Sequence, residues 1–326
     1  MKIVQLCPYA MDRPGGVQRH VRDLAAWLTS EGHETRIVAP PAPGRRPTRK
    51  GNLIELGVSR PLYLHGTGFE VCWAPARQRR TWAHELRAWG ADIVHLHTPW
   101  TPLMVWQMWR ALGLPAVATV HATLPDRDAS GVADRYIRWA ARRILPRMRA
   151  VITPSEAPVP LLRRLVPGLS VHVLPPSVDL APWRDVAADR PARDGLRLAF
   201  LGRLEPRKGV DILLQAWPSI AKAVPAVSLT IAGDGPLRSK VQAAVSDRLA
   251  YTGRPDDAAA RALLADADLF LAPAPFGESF GLVLTEAMSA CTVPVAAANP
   301  GYASVLTGDG AALLVPPGDA EALAAR

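Results

Sequence analysis

Short apolar runs alternate with longer amphipathic stretches along the whole chain. Residues 3–7, 34–39, 93–97, 116–121 and 150–153 are mainly apolar, each followed by a helical period or a turn, and they read as buried strands. The pattern restarts at residues 196–202 and continues through 227–232, 249–252, 269–272, 293–297 and 312–315. Strands of this kind separated by helices predict parallel sheets covered on both faces, an α/β fold. Between the two sets, residues 182–195 are polar, non-periodic and interrupted by Pro182 and Pro191, which predicts a linker. Two domains are therefore expected, residues 1–180 and 196–326, facing across a cleft, because open α/β sheets bind ligands outside the carboxyl ends of their strands. Residues 321–326 read as the first turns of a helix with no C-terminal cap, so the second domain is expected to be incomplete at its end.

Composition agrees with two cores: 326 residues, 49% of them hydrophobic. The charge is uneven. Residues 1–180 hold 24 Lys+Arg against 13 Asp+Glu, and residues 181–326 hold 14 against 16. Only five of the 38 basic residues are lysine, an arginine bias that acts on both halves, so the asymmetry calls for an anionic partner of the first half. Cys7, Cys72 and Cys291 are far apart and too few for a disulfide framework, which points to a reducing compartment. The chain opens directly on a strand pattern and contains no apolar run of ~18 residues, so a cytoplasmic protein, soluble or peripheral to a membrane, is expected.

The candidate chemistry concentrates around residues 277–286. Glu278 and Glu286 are eight residues apart, ~12 Å if the span is helical. By itself such a pair is more often a solvated helix face. Here Gly277 and Gly281 bracket the first carboxylate, and a helix from about Leu282 to Ala290 would offer its amino-terminal N–H groups to an anion. Carboxylates accept hydrogen bonds from hydroxyls, so Glu278 suits a sugar and Glu286 a ribose diol. Phosphate needs cations, and Arg203 and Lys208, following the strand at 196–202, supply them. Arg207, beside Lys208, reads as a surface charge. Asp126-x-Asp128 and Asp266-x-Asp268 imitate a metal signature, but cations and a helix terminus on a diphosphate make a metal unnecessary.

In order and spacing, Leu201-Gly202-Arg203, Pro206-Arg207-Lys208-Gly209, Ala232-Gly233-Asp234-Gly235-Pro236 and Glu278-x7-Glu286 resemble the donor-binding domain of the retaining glycosyltransferases of family 4. The first half adds Cys7-Pro8-Tyr9, Asp12-x-Pro14-Gly15-Gly16-Val17-Gln18-x-His20, His95-Leu96-His97 and Ala118-Thr119-Val120-His121, a set similar to bacterial phosphatidylinositol mannosyltransferases. The resemblance implies two Rossmann-like domains of GT-B type, with a C-terminal stretch of the family missing. It implies a nucleotide-sugar donor, expected to be GDP-mannose, bound by Gly16, Arg203, Lys208, Arg254, Phe280, Gly281, Leu282 and the two glutamates, with no further cofactor. His121 would lie beside the donor sugar, and with Arg203 and Lys208 it would complete the catalytic set. Tyr9, Asp12 and Gln18 match positions near the acceptor. After His121, the run Ala122-Thr123-Leu124-Pro125-Asp126 departs from the hydroxyl-rich pattern of the mannosyltransferases, which leaves the acceptor open. With no carboxylate placed as a nucleophile, attack is expected on the face of the leaving diphosphate, which acts as base.

A membrane patch is expected on a helix from about Ala76 to Trp89. Arg77, Arg80, His84 and Arg87 form one stripe and Trp82, Leu86 and Trp89 another, the pattern of a basic amphipathic helix with aromatic anchors. The competing reading is a surface helix packing Trp82 and Leu86 on its own sheet. Arg135, Arg138, Arg142 and Arg143 would extend the patch or stay solvated. An anionic lipid on the inner face of the plasma membrane is the expected partner. The alternatives are a transferase acting on a soluble polyol, sugar phosphate or glycan, and a non-catalytic nucleotide-sugar-binding or membrane-associated protein. Nucleic acid is not expected, since no reading motif is present.

Overall fold

The computed structural model describes residues 1–13, 15–64, 67–100, 103–121, 132–186 and 194–326. Pro14, the segment 122–126, the Asp126-x-Asp128 pair and the middle of the expected linker lie outside these residues. The described chain separates into two compact units, Met1–Val178 and Asp179–Arg326.

In the first unit the chain runs β1 (Lys2–Leu6), α1 (Gly16–Ser30), β2 (Glu34–Ala39), β3 (Arg49–Lys50), β4 (Leu53–Glu55), β5 (Val58–Leu64), β6 (Thr67–Trp73), α2 (Ala76–Ala88), β7 (Ile93–His97), α3 (Met104–Leu112), β8 (Ala116–Thr119), α4 (Val132–Ile144), β9 (Ala150–Thr153), α5 (Val159–Leu165) and β10 (Val171–Val173). Eight strands form one sheet in the order β10-β9-β8-β7-β1-β2-β4-β3. All pairs are parallel except β3 with β4. The antiparallel β5–β6 pair stands apart and has no counterpart in the expected alternation.

The central strands carry two different faces. Val4, Leu6, Val94, Leu96, Ala116 and Ala118 join Ala83 and Leu86 of α2 and Met104 and Met108 of α3 in an apolar core. The alternate positions, Gln5, His95, His97 and Thr119, are buried yet polar. A period of two along a strand separates these sets.

The second unit contains α6 (Ala181–Arg184), β11 (Leu196–Leu201), α7 (Val210–Ala223), β12 (Val227–Ala232), α8 (Arg238–Ala243), β13 (Leu249–Gly253), α9 (Asp257–Asp266), β14 (Leu269–Ala272), α10 (Leu282–Ser289), β15 (Val293–Ala297), α11 (Pro300–Ala303), β16 (Leu314–Val315) and α12 (Ala320–Ala325). Its six strands are all parallel, in the order β13-β12-β11-β14-β15-β16. The strand expected at 312–315 is shorter, because residues Gly308–Leu313 wind as a 3-10 helix before β16. Where a linker was expected, α6 instead buries Trp183 to 2% exposure, packed with Phe270 and Leu284 of this unit. Asp256 and Asp319 cap α9 and α12, each accepting a backbone N–H three residues on, at 2.8 and 2.9 Å. Leu323 of α12 joins the core beside α7.

Candidate functional site

Loops leaving the carboxyl ends of β11, β13 and β14 carry the donor-side residues. Gly277 and Gly281 have φ of 82° and 114°, in the left-handed region. Both positions are crowded by side chains: a Cβ at Gly277 would stand 2.8 Å from Arg207 Cδ, and one at Gly281 2.6 Å from the Tyr302 ring. Packing on the protein's own side chains requires these glycines. Because α10 begins only at Leu282, Glu278 lies in the bend before it, and the ~12 Å helical spacing to Glu286 does not apply. Gly281, the N-cap of α10, contributes no capping side chain, unlike Asp256 on α9.

Glu278 is the centre of an ion cluster. Lys208 Nζ donates to Glu278 Oε1 at 2.7 Å, and Arg207 Nη1 reaches the same oxygen at 3.3 Å and the Gly277 carbonyl at 3.0 Å. Arg207 is thus no solvated surface charge; its side chain is 18% exposed. Burial pushes the Glu278 carboxyl up, but Lys208, Arg207 and Arg203 outweigh it and hold the group below its ordinary value. Burial lowers Lys208, opposed by Glu278 and reinforced by Arg207 and Arg203. Arg203 itself is exposed and pairs at 3.1 Å with the buried Glu205. Arg254 is exposed just beyond β13; Phe280, Leu282 and Glu286 are half-buried around the start and middle of α10.

In the first unit, His121 follows β8 and meets His97 and His20, with His95 on the far side of His97. His97 stacks on His121 with centroids 5.2 Å apart, His95 on His97 at 4.2 Å, and His20 of α1 sits edge-on to His121 at 5.2 Å. The hydrogen bonds fix which nitrogens carry protons. Gln5 Nε2 faces the Val21 carbonyl at 3.4 Å, which can only accept, so Gln5 Oε1 faces His97 Nε2, 3.0 Å away. His97 Nε2 must then donate, its Nδ1 must accept, and the proton in the 2.9 Å contact with His121 belongs to His121 Nε2. That tautomer leaves His121 Nδ1 as an acceptor. Burial, with the neighbouring rings adding to it, lowers His97 and His121 well below the ordinary histidine value and His95 to about 3. His20 is lowered by burial against the raising effect of its Ser177 carbonyl contact at 3.3 Å. The four rings are therefore neutral near pH 7. Ligand atoms of His20, His97 and His121 lie within 4.8 Å of one another, close enough for a metal ion, but the His121–His97 hydrogen bond occupies two of the facing nitrogens.

The loop between β1 and α1 holds Tyr9 and Asp12, and the first turn of α1 holds Gln18. Gln18 is buried and donates to the Ala10 carbonyl at 3.4 Å, with its Oε1 where a side chain on Gly15 would be. Asp12 pairs with Arg45 at 2.8 Å, and Arg22 donates to the Met11 carbonyl. Tyr9 is half-buried against Cys7 and Met11. Gly16 opens α1, exposed, with no capping side chain.

Residues 14–182 match the family described as Glycosyltransferase Family 4, and residues 195–326 match Glycosyl transferases group 1. The phosphatidyl-myo-inositol mannosyltransferase of Mycolicibacterium smegmatis is 32% identical over 333 residues, spanning 100% of this chain and 83% of that protein. The enzyme of the same name from Propionibacterium freudenreichii is 33% identical over 325 residues, 95% of this chain and 80% of that one. The chain belongs to glycosyltransferase family 4. The glycosyltransferase also matches the crystal structure of Anabaena HepE in complex with UDP-glucose, with a TM-score of 0.74 and 20% identity, covering 100% of this chain and 88% of that one. Its fold is GT-B.

On α2 of this glycosyltransferase the basic stripe and the aromatic stripe part ways. Arg77, Arg80 and Arg87 of α2 are exposed, and Arg87 Nη1 donates to the Ala111 carbonyl at 3.1 Å. The aromatic stripe turns inward. Trp82 and Trp89 pack on the core, Trp89 donates to Glu34 at 3.1 Å, and Arg36 covers its ring at 4.3 Å. No helix among the described residues is long and apolar enough to cross a membrane.

Gln5, His20, His97 and Arg207 gain their place in these clusters only from the fold. The signal for the first three is a polar residue in an otherwise apolar strand or helix face. For Arg207 there is none, since its partners lie 70 and 71 residues away.

Proposed function

We propose that the glycosyltransferase moves mannose from GDP-mannose to a phosphatidylinositol-type lipid with retention at the anomeric carbon. The Lys208–Glu278–Arg207 cluster, set before the amino terminus of α10, carries the donor half of this reading. Lys208 and Arg203 hold the diphosphate and take the charge that develops as it leaves, a role in which preorganised cations need no reorganisation. The first N–H groups of α10 add to this site. Glu278 accepts from sugar hydroxyls and Glu286 from the ribose; Arg254, Phe280 and Leu282 border the nucleotide. Gly16 serves the donor, and on the acceptor side Tyr9, Asp12 and Gln18 contact the inositol-type polyol.

His121 orients the donor sugar. Its neutral ring presents Nδ1 as an acceptor, so it can receive a hydroxyl proton in a hydrogen bond but cannot act as a cation. The acceptor hydroxyl adds to the anomeric carbon on the face from which the diphosphate departs. One C–O bond forms as the other breaks, and the hydroxyl proton passes to a departing phosphate oxygen. The mannosyl donor and lipid acceptor are supported by the 32–33% identity to the two mannosyltransferases. Anionic lipid places the enzyme at the inner face of the plasma membrane.

The test is incubation with GDP- and UDP-sugars together with lipid extract or soluble polyols, with products identified by mass spectrometry. Mannosylated phosphatidylinositol from GDP-mannose is the expected product. Transfer from a UDP-sugar, or to a soluble acceptor alone, would overturn the specificity, and nucleotide binding without any transfer would overturn catalysis.

A further inference from the structure

With Trp82 and Trp89 turned inward, the exposed aromatic of this helical layer lies elsewhere. Trp139 of α4 is 51% exposed, and its ring meets Trp106 of α3 edge-on at 5.4 Å. Beside this pair a cavity of about 210 Å³ opens between α3 and the end of α4, lined by Trp106, Trp109, Arg110, Arg143 and Arg147. No carboxylate lines it. Among the described residues, none of the three arginines forms an ion pair. The walls are fixed: Trp109 Nε1 donates to the Leu114 carbonyl at 3.3 Å and Arg147 Nη1 to the Arg143 carbonyl at 2.8 Å.

We infer that this cavity is a docking site for the phosphate of an anionic phospholipid at a membrane surface. Guanidinium forks match phosphate oxygens in pairs. An indole half in water beside them is the residue type that settles at the headgroup level. Helix carboxyl ends carry about half a negative charge each, and three guanidinium charges outweigh the two ends that meet here. Arg87, bonded to Ala111 at the end of α3, joins the exposed Arg77 and Arg80 of α2 to the same layer. Arg110 is in the last turn of α3 and Arg143 in the last turn of α4, toward the strand starts, whereas His121 follows the end of β8. The cavity therefore holds the membrane and not the lipid being glycosylated. It rests on the proposed function only in requiring an anionic bilayer.

Co-sedimentation with vesicles of phosphatidylglycerol in phosphatidylcholine at low salt tests this. The double variant Arg143→Ala/Arg147→Ala is expected to bind about 30-fold more weakly, about 5-fold for each arginine. Arg163→Ala/Arg164→Ala, on the exposed part of α5, is the control for net charge. Trp139→Phe should reduce quenching of tryptophan fluorescence by brominated lipid. A loss in the double variant no greater than in the control, or binding of inorganic phosphate without binding of vesicles, would overturn the inference. Nucleotide affinity measured by calorimetry on the same variants should match wild type, which separates a failure of docking from a failure of the donor reading.

Discussion

Lys208, Arg207 and Glu278 in the second unit stay charged by meeting at 2.7 and 3.3 Å, whereas His95, His97 and His121 in the first unit stay neutral in a setting of neighbouring imidazoles. Both arrangements answer the same cost, that of removing a charge from water. The paired solution keeps two cations against one carboxylate, an excess suited to a diphosphate. The neutral solution gives up charge and keeps direction: His97 and His121 each have a defined donor and a defined acceptor. One region is built to attract, and the other to orient.

The comparison breaks most visibly where a charge is removed. Lys208→Ala should lower turnover by about 10²- to 10³-fold, the cost of losing a preorganised charge at a leaving group, and weaken nucleoside-diphosphate binding in calorimetry. An unchanged diphosphate affinity would detach this cluster from the donor. The complementary Glu278→Ala leaves two partly buried cations without their shared carboxylate, and a stability loss of about 3 kcal/mol is expected from thermal unfolding.

His121→Ala should depress turnover by about 10²-fold with nucleotide affinity near wild type. Lost affinity at unchanged turnover would sink its assignment to the sugar. A smaller effect is expected one bond further back. Gln5→Leu removes the acceptor that fixes His97, so kcat should fall by about 10-fold while KM for the donor stays put. The 15N shifts of His121 should change from an Nε2-protonated ring to a tautomer mixture; an unaltered spectrum would reject the tautomer assigned through Gln5 and His97.

The smallest effect is on stability against pH. The unfolded chain takes up histidine protons near pH 6.5, but the folded chain resists, with His95 titrating at about 3. Stability from these groups is therefore complete above 6.5 and declines as the pH falls toward 3. A melting temperature that stays level between pH 6.5 and 5, above most carboxylate titration, would contradict a neutral cluster.

Much of this was legible in the chain. Five of the six strands of the second sheet coincide with apolar runs, and Gly281 marks the start of α10, because these are local features. The ion cluster was half legible: Lys208 stood out, but Arg207 owes its place to contacts 70 residues away, which no local pattern encodes. The tryptophans of α2 misled, since a helical stripe specifies that one side is apolar and not whether lipid or sheet covers it. Nothing local ties Gln5 to His97; only when β1 and β7 lie side by side do they become a hydrogen-bonded pair.

The crowding at Gly277 has a consequence for how this chain can vary. Because the aliphatic stem of Arg207 fills the space where a Cβ would go, any side chain at 277 evicts that stem and drags its guanidinium away from Glu278. Shortening residue 207 would free that space but not relieve position 277, because a φ of 82° burdens any residue that carries a Cβ.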